Sequence, residues 1–274
     1  MPERPKLPLP SENFSEADFT WFQQRVESQT GIRLSQYKPD QMRRRIAALA
    51  DKAGSVSFAA YASVIERDPA RLAEFLDRMT INVTELLRNP NRFEEMVSTI
   101  LPDLLVRRKG GPLSVWSAGC SYGAEAYTLA LLLHEINPIS MHQVYGTDID
   151  LTVLAKAARP SFSAADMVNI CPARRAAHFQ ENGGVFHPKT HLCAKVRFEP
   201  HDLLAGSYPD ARYDLILCRN VVIYFTDDAK ERIYRGFFRA LRPGGILFVG
   251  GTERLADHRA LGFELIRPFF YRKP

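Results

Sequence analysis

Val115-Trp-Ser-Ala-Gly119-Cys-Ser-Tyr-Gly123-Ala-Glu125 reads as a strand, a glycine-bearing turn and the opening of a helix. A glycine in such a turn lets backbone approach a ligand closely, and the free N–H groups of a helix start suit polar or anionic atoms. The string is not the complete Gly-x-Gly-x-x-Gly dinucleotide fingerprint, so on its own it is also compatible with a tight strand-to-helix turn that binds nothing.

The next apolar run ends in Gly146-Thr-Asp148-Ile-Asp150, which puts Asp148 29 residues after Gly119. In doubly wound sheets an acid at this point accepts hydrogen bonds from ribose hydroxyls, because a carboxylate offers two oxygens to two adjacent O–H groups. A lone strand-end Asp is more often a helix cap; paired with the glycine turn one βαβ unit earlier, it predicts nucleoside binding. Further runs lie at Leu113–Ser117, Gln143–Thr147, Val196–Glu199, Tyr213–Cys218 and Gly245–Val249, separated by helical stretches at Ala124–Glu135, Leu151–Ala158 and Asp228–Leu241. That alternation predicts a parallel sheet with covering helices. His201-Asp202-Leu203 and Cys218-Arg219-Asn220-Val221 follow two of the runs, so polar strand ends converge on one edge, where ligands of open α/β sheets bind. Taken singly, Asp202 and Asn220 are equally ordinary turn residues. The ending Phe263–Arg272 holds two strand-like pieces joined at Arg267-Pro268, a candidate edge hairpin.

Upstream the period changes. From Phe14 to about Leu105 apolar residues recur at helical spacing. Ser15-Glu-Ala-Asp18 resembles a capping box ahead of Phe19, Phe22 and Val26, and Gly31 fits a stop. Asp40 is read as the cap of a second helix carrying Met42, Ile46, Leu49 and Ala53, with Arg43, Arg44 and Arg45 fanned over its flanks. Ser57, then Leu72–Met79, then Phe93–Leu104 mark three more helices, and Lys109-Gly-Gly-Pro112 reads as the boundary turn. The expected organisation is a leader over 1–13, a helical domain over 14–108 and an α/β domain over 109–274.

The 274 residues are 46% apolar and 24% charged, the composition of a chain with a sizeable core. Its net charge of +5 is spread: residues 1–110 carry 17 basic against 15 acidic side chains and the remainder 19 against 16. Neither part is a basic arm, so nucleic acid is not the expected partner. No run approaches the roughly 18 apolar residues of a bilayer span, and the proline-rich start lacks the apolar length of a signal peptide. Cys120, Cys171, Cys193 and Cys218 are widely spaced, which suits a reducing compartment. A cytoplasmic protein without membrane insertion is expected.

Five ordered strings carry a resemblance: Thr80-Ile-Asn82-Val-Thr84-Glu-Leu-Leu-Arg88, Ser117–Tyr127, Gly146–Asp150, Cys218-Arg-Asn-Val-Val-Ile-Tyr-Phe225 and Leu241-Arg-Pro-Gly-Gly245. From about Phe14 to Tyr271 the chain resembles the chemotaxis receptor methyltransferases, the CheR family. The resemblance implies an α/β fold: a class I, Rossmann-like S-adenosylmethionine-dependent methyltransferase domain, preceded by a small all-α domain and carrying a short β-rich insertion. It implies S-adenosylmethionine as cofactor, S-adenosylhomocysteine as product, and glutamate carboxylates on chemoreceptor cytoplasmic helices as acceptors. By matching positions, Asn82, Thr84 and Arg88 would close over the cofactor from the helical side, with Arg88 near its carboxylate. Gly119 lies in the cofactor turn, Glu125 matches a cofactor-site glutamate and Asp148 the ribose-binding acid. Asp202, Leu203, Asn220 and Val221 would surround the adenine and the methionine portion, and Tyr224 would stand near the transferred methyl. Tyr224 and Arg88 are thus the candidate catalytic residues.

The sequence departs from the family pattern at Ala124 and Ala126, where Gly-Glu-Glu-Pro-Tyr is common, and at Leu86 and Leu87, where two phenylalanines are common. Asp202 replaces a common Asn and Gly251 a common His. The insertion, residues 172–194, is short, with Glu181-Asn-Gly-Gly184 as its hairpin turn, which argues against tethering to a receptor's C-terminal peptide.

A glutamate side chain has a reference pKa near 4.3, so methyl transfer to it requires no general base, in keeping with a site lacking a Ser/His/Asp set. Aromatic faces such as Tyr224 can favour a sulfonium as they do other cations, although a buried ring with a bonded hydroxyl is the structural alternative. Arg43, Arg44 and Arg45 are candidates for docking the acidic rows of a receptor helix, or simply a solvated helix face. His187, His191 and Cys193, with Cys171 and His178, offer zinc-compatible atoms at a spacing that fits no standard module, so no metal is expected. The competing function is a noncatalytic module of the same fold that senses S-adenosylmethionine or recruits a partner.

Overall fold

The computed structural model describes residues 15–80 and 84–274; the leader 1–13 and Asn82 lie outside the described residues. The chain divides into two compact units, one running to Thr80 and including Tyr224–Ala229, the other comprising Ile81–Ile223 and Lys230–Pro274.

In the first unit, Ser15 caps α1 (Glu16–Thr30) by accepting the Asp18 N–H at 3.1 Å, and Gly31 ends it in the left-handed conformation. Helix α2 (Pro39–Lys52) starts differently from the expectation. Lys38 is the cap and Pro39 takes the first position, so Asp40 stands inside the first turn, where its charge complements the helix dipole. Ser57 caps α3 (Phe58–Arg67), and α4 (Pro69–Thr80) follows. The Phe22 ring anchors the core, with centroids 5.8 Å from Phe58 and 6.0 Å from both Tyr61 and Phe75. Truncating such a ring costs about 3–5 kcal/mol. The unit also has a β-bridge between Tyr37 and Phe225: the Lys38 N–H donates to Tyr224 at 2.8 Å and the Thr226 N–H to Gln36 at 2.9 Å.

The second unit opens with α5 (Pro90–Glu95), a π-helical turn (Met96–Ile100) and α6 (Leu101–Arg107). Pro102 has no N–H to donate and crowds the preceding turn, and the widened π turn, closed by Leu101 N–H to Met96, takes up the strain. The Phe93 ring lies 6.1 Å from that of Phe248, and Asp103 pairs with Arg272 at 2.7 Å. These helices therefore belong to the sheet, and the division falls at Thr80/Ile81 rather than at the expected 108/109. Helical period alone does not say which body a helix packs on.

The sheet is built from β1 (Ser114–Ala118), β2 (Gln143–Asp148), β5 (Val196–Pro200), β6 (Tyr213–Cys218), β7 (Leu241–Val249), β8 (Glu264–Arg267) and β9 (Phe270–Arg272). Its order is β5-β2-β1-β6-β7-β9-β8, parallel through β7, with the terminal hairpin antiparallel at the edge. Helices α7 (Ala124–Ile136), α8 (Leu151–Ala157) and α11 (Asp227–Ala240) connect the strands. Alternation along β1 sends neighbouring residues to opposite faces. Trp116 packs 5.3 Å from Phe237 of α11 and donates to Thr147 at 2.8 Å, whereas Ser117 donates to Glu125 of α7 at 2.7 Å. Residues 172–193 form α9 (Pro172–His178), the hairpin β3 (Phe179–Asn182) and β4 (Val185–Pro188), turned by Gly183-Gly184, and α10 (Thr190–Cys193). Among the described residues, no helix is long and apolar enough to cross a membrane.

Candidate cofactor and active site

The parallel strands β5, β2, β1 and β6 all end on one edge, where polar loops meet. The N–H groups of Gly119 and Cys120 both reach the Thr147 carbonyl, at 2.8 and 2.9 Å, which draws the loop after β1 onto the end of β2. Gly119 has φ +77°, and a Cβ there would lie 2.5 Å from Cγ2 of Val221, so both its conformation and its space exclude a side chain. Ser121 adopts φ 51° without being glycine, a strain of about 1–3 kcal/mol, and is held there by its N–H donating to Asp148 Oδ2 at 2.9 Å.

Asp148 is 8% exposed, and its second oxygen accepts the Asp150 N–H at 3.1 Å. Burial pushes this carboxyl above its usual value, against the backbone donors that pull it down. A carboxylate has about four acceptor sites, so these bonds leave it acceptor capacity for a hydroxyl group. The His201 N–H donates to the Asp148 carbonyl at 3.0 Å, which sets Asp202 and buried Leu203 beside it. Asp202 accepts the Leu204 N–H at 2.7 Å and so also forms its own turn.

After β6, the N–H groups of Asn220 and Val221 donate to the two oxygens of Glu253, at 2.5 and 2.8 Å, and the Gly250 N–H adds a third bond at 2.9 Å. This clamp fixes Asn220 at φ 61°. Burial raises the Glu253 carboxyl.

Glu125, at the start of α7, accepts from Ser117 and pairs with Arg219 at 3.2 Å. Arg219 also donates to the Arg88 carbonyl at 2.8 Å and to Asn89 at 2.9 Å. The Tyr122 hydroxyl faces the Thr84 carbonyl and Asp166, 2.7 Å from Asp166 Oδ1, and the Leu87 N–H donates to Thr128 of α7 at 2.9 Å. Residues 84–89 are thereby pinned beside the start of α7.

Gly119, Glu125, Asp148, Asp202, Leu203, Asn220 and Val221 thus gather at one sheet edge, linked through backbone to Thr84 and Arg88. Asn82 lies outside the described residues. Tyr224, Arg43, Arg44 and Arg45 belong to the first unit. There the Arg45 guanidinium sits over the Tyr224 ring, 5.5 Å from its centroid, and burial lowers the Arg45 pKa. Arg43 is half-buried and Arg44 exposed, so the three do not present one solvated face. Sequence reasoning missed Arg219, Glu253 and Tyr122. A charge directly after the apolar run Leu215-Ile-Leu-Cys218 was the available signal for Arg219.

These donors and acceptors fit the adenosyl group of S-adenosylmethionine: a buried diol acceptor beside a glycine turn packed on Val221, and a positive-φ residue held between them. Of the departures, Ala124 and Ala126 are fully buried, and a side chain at Gly251 would meet open space.

The model of the CheR methyltransferase SAM binding domain matches residues 82–267, and that of the CheR methyltransferase all-alpha domain matches residues 17–80. The chain is 34% identical over 258 residues to a chemotaxis protein methyltransferase of Listeria monocytogenes, covering 94% of this chain and 98% of that one. It is 30% identical over 251 residues to the chemotaxis protein methyltransferase of Escherichia coli, covering 88% and 86%. Among solved structures, a TehB-like SAM-dependent methyltransferase of Corynebacterium glutamicum aligns at 16% identity and a TM-score of 0.39, over 68% of this chain and 96% of that one.

Proposed function

The chain belongs to the CheR methyltransferase family, with S-adenosylmethionine as cofactor; from that premise we propose that it methylates glutamate side-chain carboxylates on the cytoplasmic helices of chemoreceptors. The products are glutamate methyl esters and S-adenosylhomocysteine, and the role is adaptation in chemotaxis-type signalling. The bound cofactor supplies a methyl group activated by its sulfonium. The acceptor carboxylate is already ionised at neutral pH, so the chain has to bind, orient and exclude water rather than remove a proton.

Asp148 carries the reading. It is a buried carboxylate at the end of β2, fixed by two backbone N–H groups beside the glycine turn, with acceptor capacity left over for a ribose diol. In this proposal Asp202, Leu203, Asn220 and Val221 border the adenine and the methionine portion, Glu125, Gly119, Thr84 and Arg88 complete the pocket, and Asn82 is included by its matching sequence position alone. Tyr224 is assigned to the transferred methyl by its matching sequence position alone. Arg43 and Arg44 meet the acidic receptor helix, and Arg45 acts on Tyr224 rather than on the receptor.

Tritiated-methyl transfer from S-adenosylmethionine to receptor cytoplasmic fragments tests the reading. Base-labile counts with the wild type, and their loss in Asp148→Ala, are expected. Saturable cofactor binding without transfer to any fragment would instead make the chain a binding or sensing module.

A further inference from the structure

Three histidines outside the cofactor site converge where the insertion meets α7: His134 in its last turn, His178 at the end of α9 and His191 in α10. One ring nitrogen from each lies within 4.8 Å of the other two. We propose that His134, His178 and His191 bind a divalent transition-metal ion of the zinc type, which pins the insertion to α7.

The local chemistry fits imidazole ligation. His178 Nε2 lies 3.4 Å from Glu135 Oε1, a placement that favours the tautomer with the proton on Nε2 and the lone pair on Nδ1. Arg174 holds Glu135 in place with two bonds of 2.9 and 2.8 Å. This carboxylate–imidazole arrangement commonly orients metal-binding histidines. His178 Nδ1 is 3.0 Å from His191 Nε2, close to the roughly 3.3 Å between two nitrogens of a tetrahedral zinc site. His134 Nδ1 is buried and has no hydrogen-bond partner. A metal there would take the place of the hydrogen between His178 Nδ1 and His191 Nε2, with His191 in the Nδ1-protonated tautomer. Burial lowers the pKa of both His134 and His191, with Lys195 the next contributor at His134 and His134 the next at His191. The Lys195 ammonium is itself turned to the Ser140 carbonyl at 2.9 Å. Solvent completes the coordination.

The zinc-compatible residues read from sequence divide here. His187 bonds to Pro160 and Cys193 to Pro188, while Cys171 is exposed at the start of α9, so of that set only His178 and His191 enter the cluster. His134 joins them from a different helix, which linear spacing does not reveal.

The test titrates the chelator-stripped full chain with zinc chloride by calorimetry and with cobalt chloride by visible absorption, and follows thermal unfolding with and without zinc. One equivalent should bind, cobalt should show the ligand-field bands of nitrogen coordination, and zinc should raise the unfolding temperature. His191→Gln, at a half-exposed position that tolerates the change, should weaken binding by more than the roughly 10- to 100-fold cost of disturbing a partner behind a ligand. Glu135→Gln should fall inside that range. Binding weaker than millimolar, equal binding by His191→Gln, or its loss in a Cys171→Ser/Cys193→Ser variant would each overturn the assignment.

Discussion

Arg219 and Glu125 form an ion pair with side chains only 3% and 12% exposed, Nη1 standing 3.2 Å from Oε2. The guanidinium also lies 4.9 and 5.0 Å from the centroids of the Phe93 and Phe248 rings. One buried charge therefore joins the end of β6, the first turn of α7 and the Arg88–Asn89 turn.

Removing one partner strands the other, so Arg219→Met should cost about 3–5 kcal/mol, well above what an exposed pair would lose. The double variant Arg219→Met/Glu125→Gln should be less destabilised than the two single changes added together. Urea unfolding of all four proteins measures the coupling, and strict additivity would refute it.

Gly119→Ala meets two separate obstacles, a positive φ and the Val221 methyl. The first alone costs about 1–2 kcal/mol. Adding Val221→Ala should restore the steric part of the lost stability and leave the conformational part, which a denaturant series on the single and double variants resolves.

Asp148→Ala removes the acceptor proposed for both ribose hydroxyls. At about 1.5–3 kcal/mol for hydrogen bonds to a charged group, S-adenosylhomocysteine should bind roughly 10- to 100-fold more weakly. Asp148→Asn keeps one acceptor oxygen and should fall between. Calorimetric titration reads both, with circular dichroism as the check on folding.

His142 is fully buried, accepts the Leu113 N–H at 3.0 Å and has its pKa pushed down to about 4, chiefly by burial and then by Lys195. Its folded pKa lies below the unfolded value of 6.5, so its contribution is complete above pH 6.5 and disappears as pH falls toward 4. The loss is about 3 kcal/mol. His142→Asn keeps an acceptor for Leu113 and should lack this slope, so the wild-type-minus-variant stability should fall between pH 6.5 and 4. A flat difference would count against it.

The strand positions were readable because each run carries its own apolar signature, and the Gly119 turn with Asp148 was readable because both are local. Arg219 and Glu253 were not, since their partners come from Glu125 and from the Asn220–Val221 backbone, separations over which a linear pattern holds no distance information. The unit boundary was misread for a related reason. Phe93 and Leu104 have helical spacing whichever core receives them, and Phe248 rather than another helix receives Phe93. Asp40 lost the cap because Pro39 pre-sets the first helical position.

The bridge between Tyr37 and Phe225 makes the helical unit discontinuous along the chain. An excised fragment ending at Thr80 would leave Tyr37, 9% exposed in the whole protein, without the ring 4.8 Å away and would strip the Lys38 N–H of its acceptor. Such a fragment should melt at lower temperature than the same fragment supplied with a tethered copy of residues 224–229. Exchange of this module between homologues, in the laboratory or in evolution, must accordingly transplant two pieces of polypeptide together.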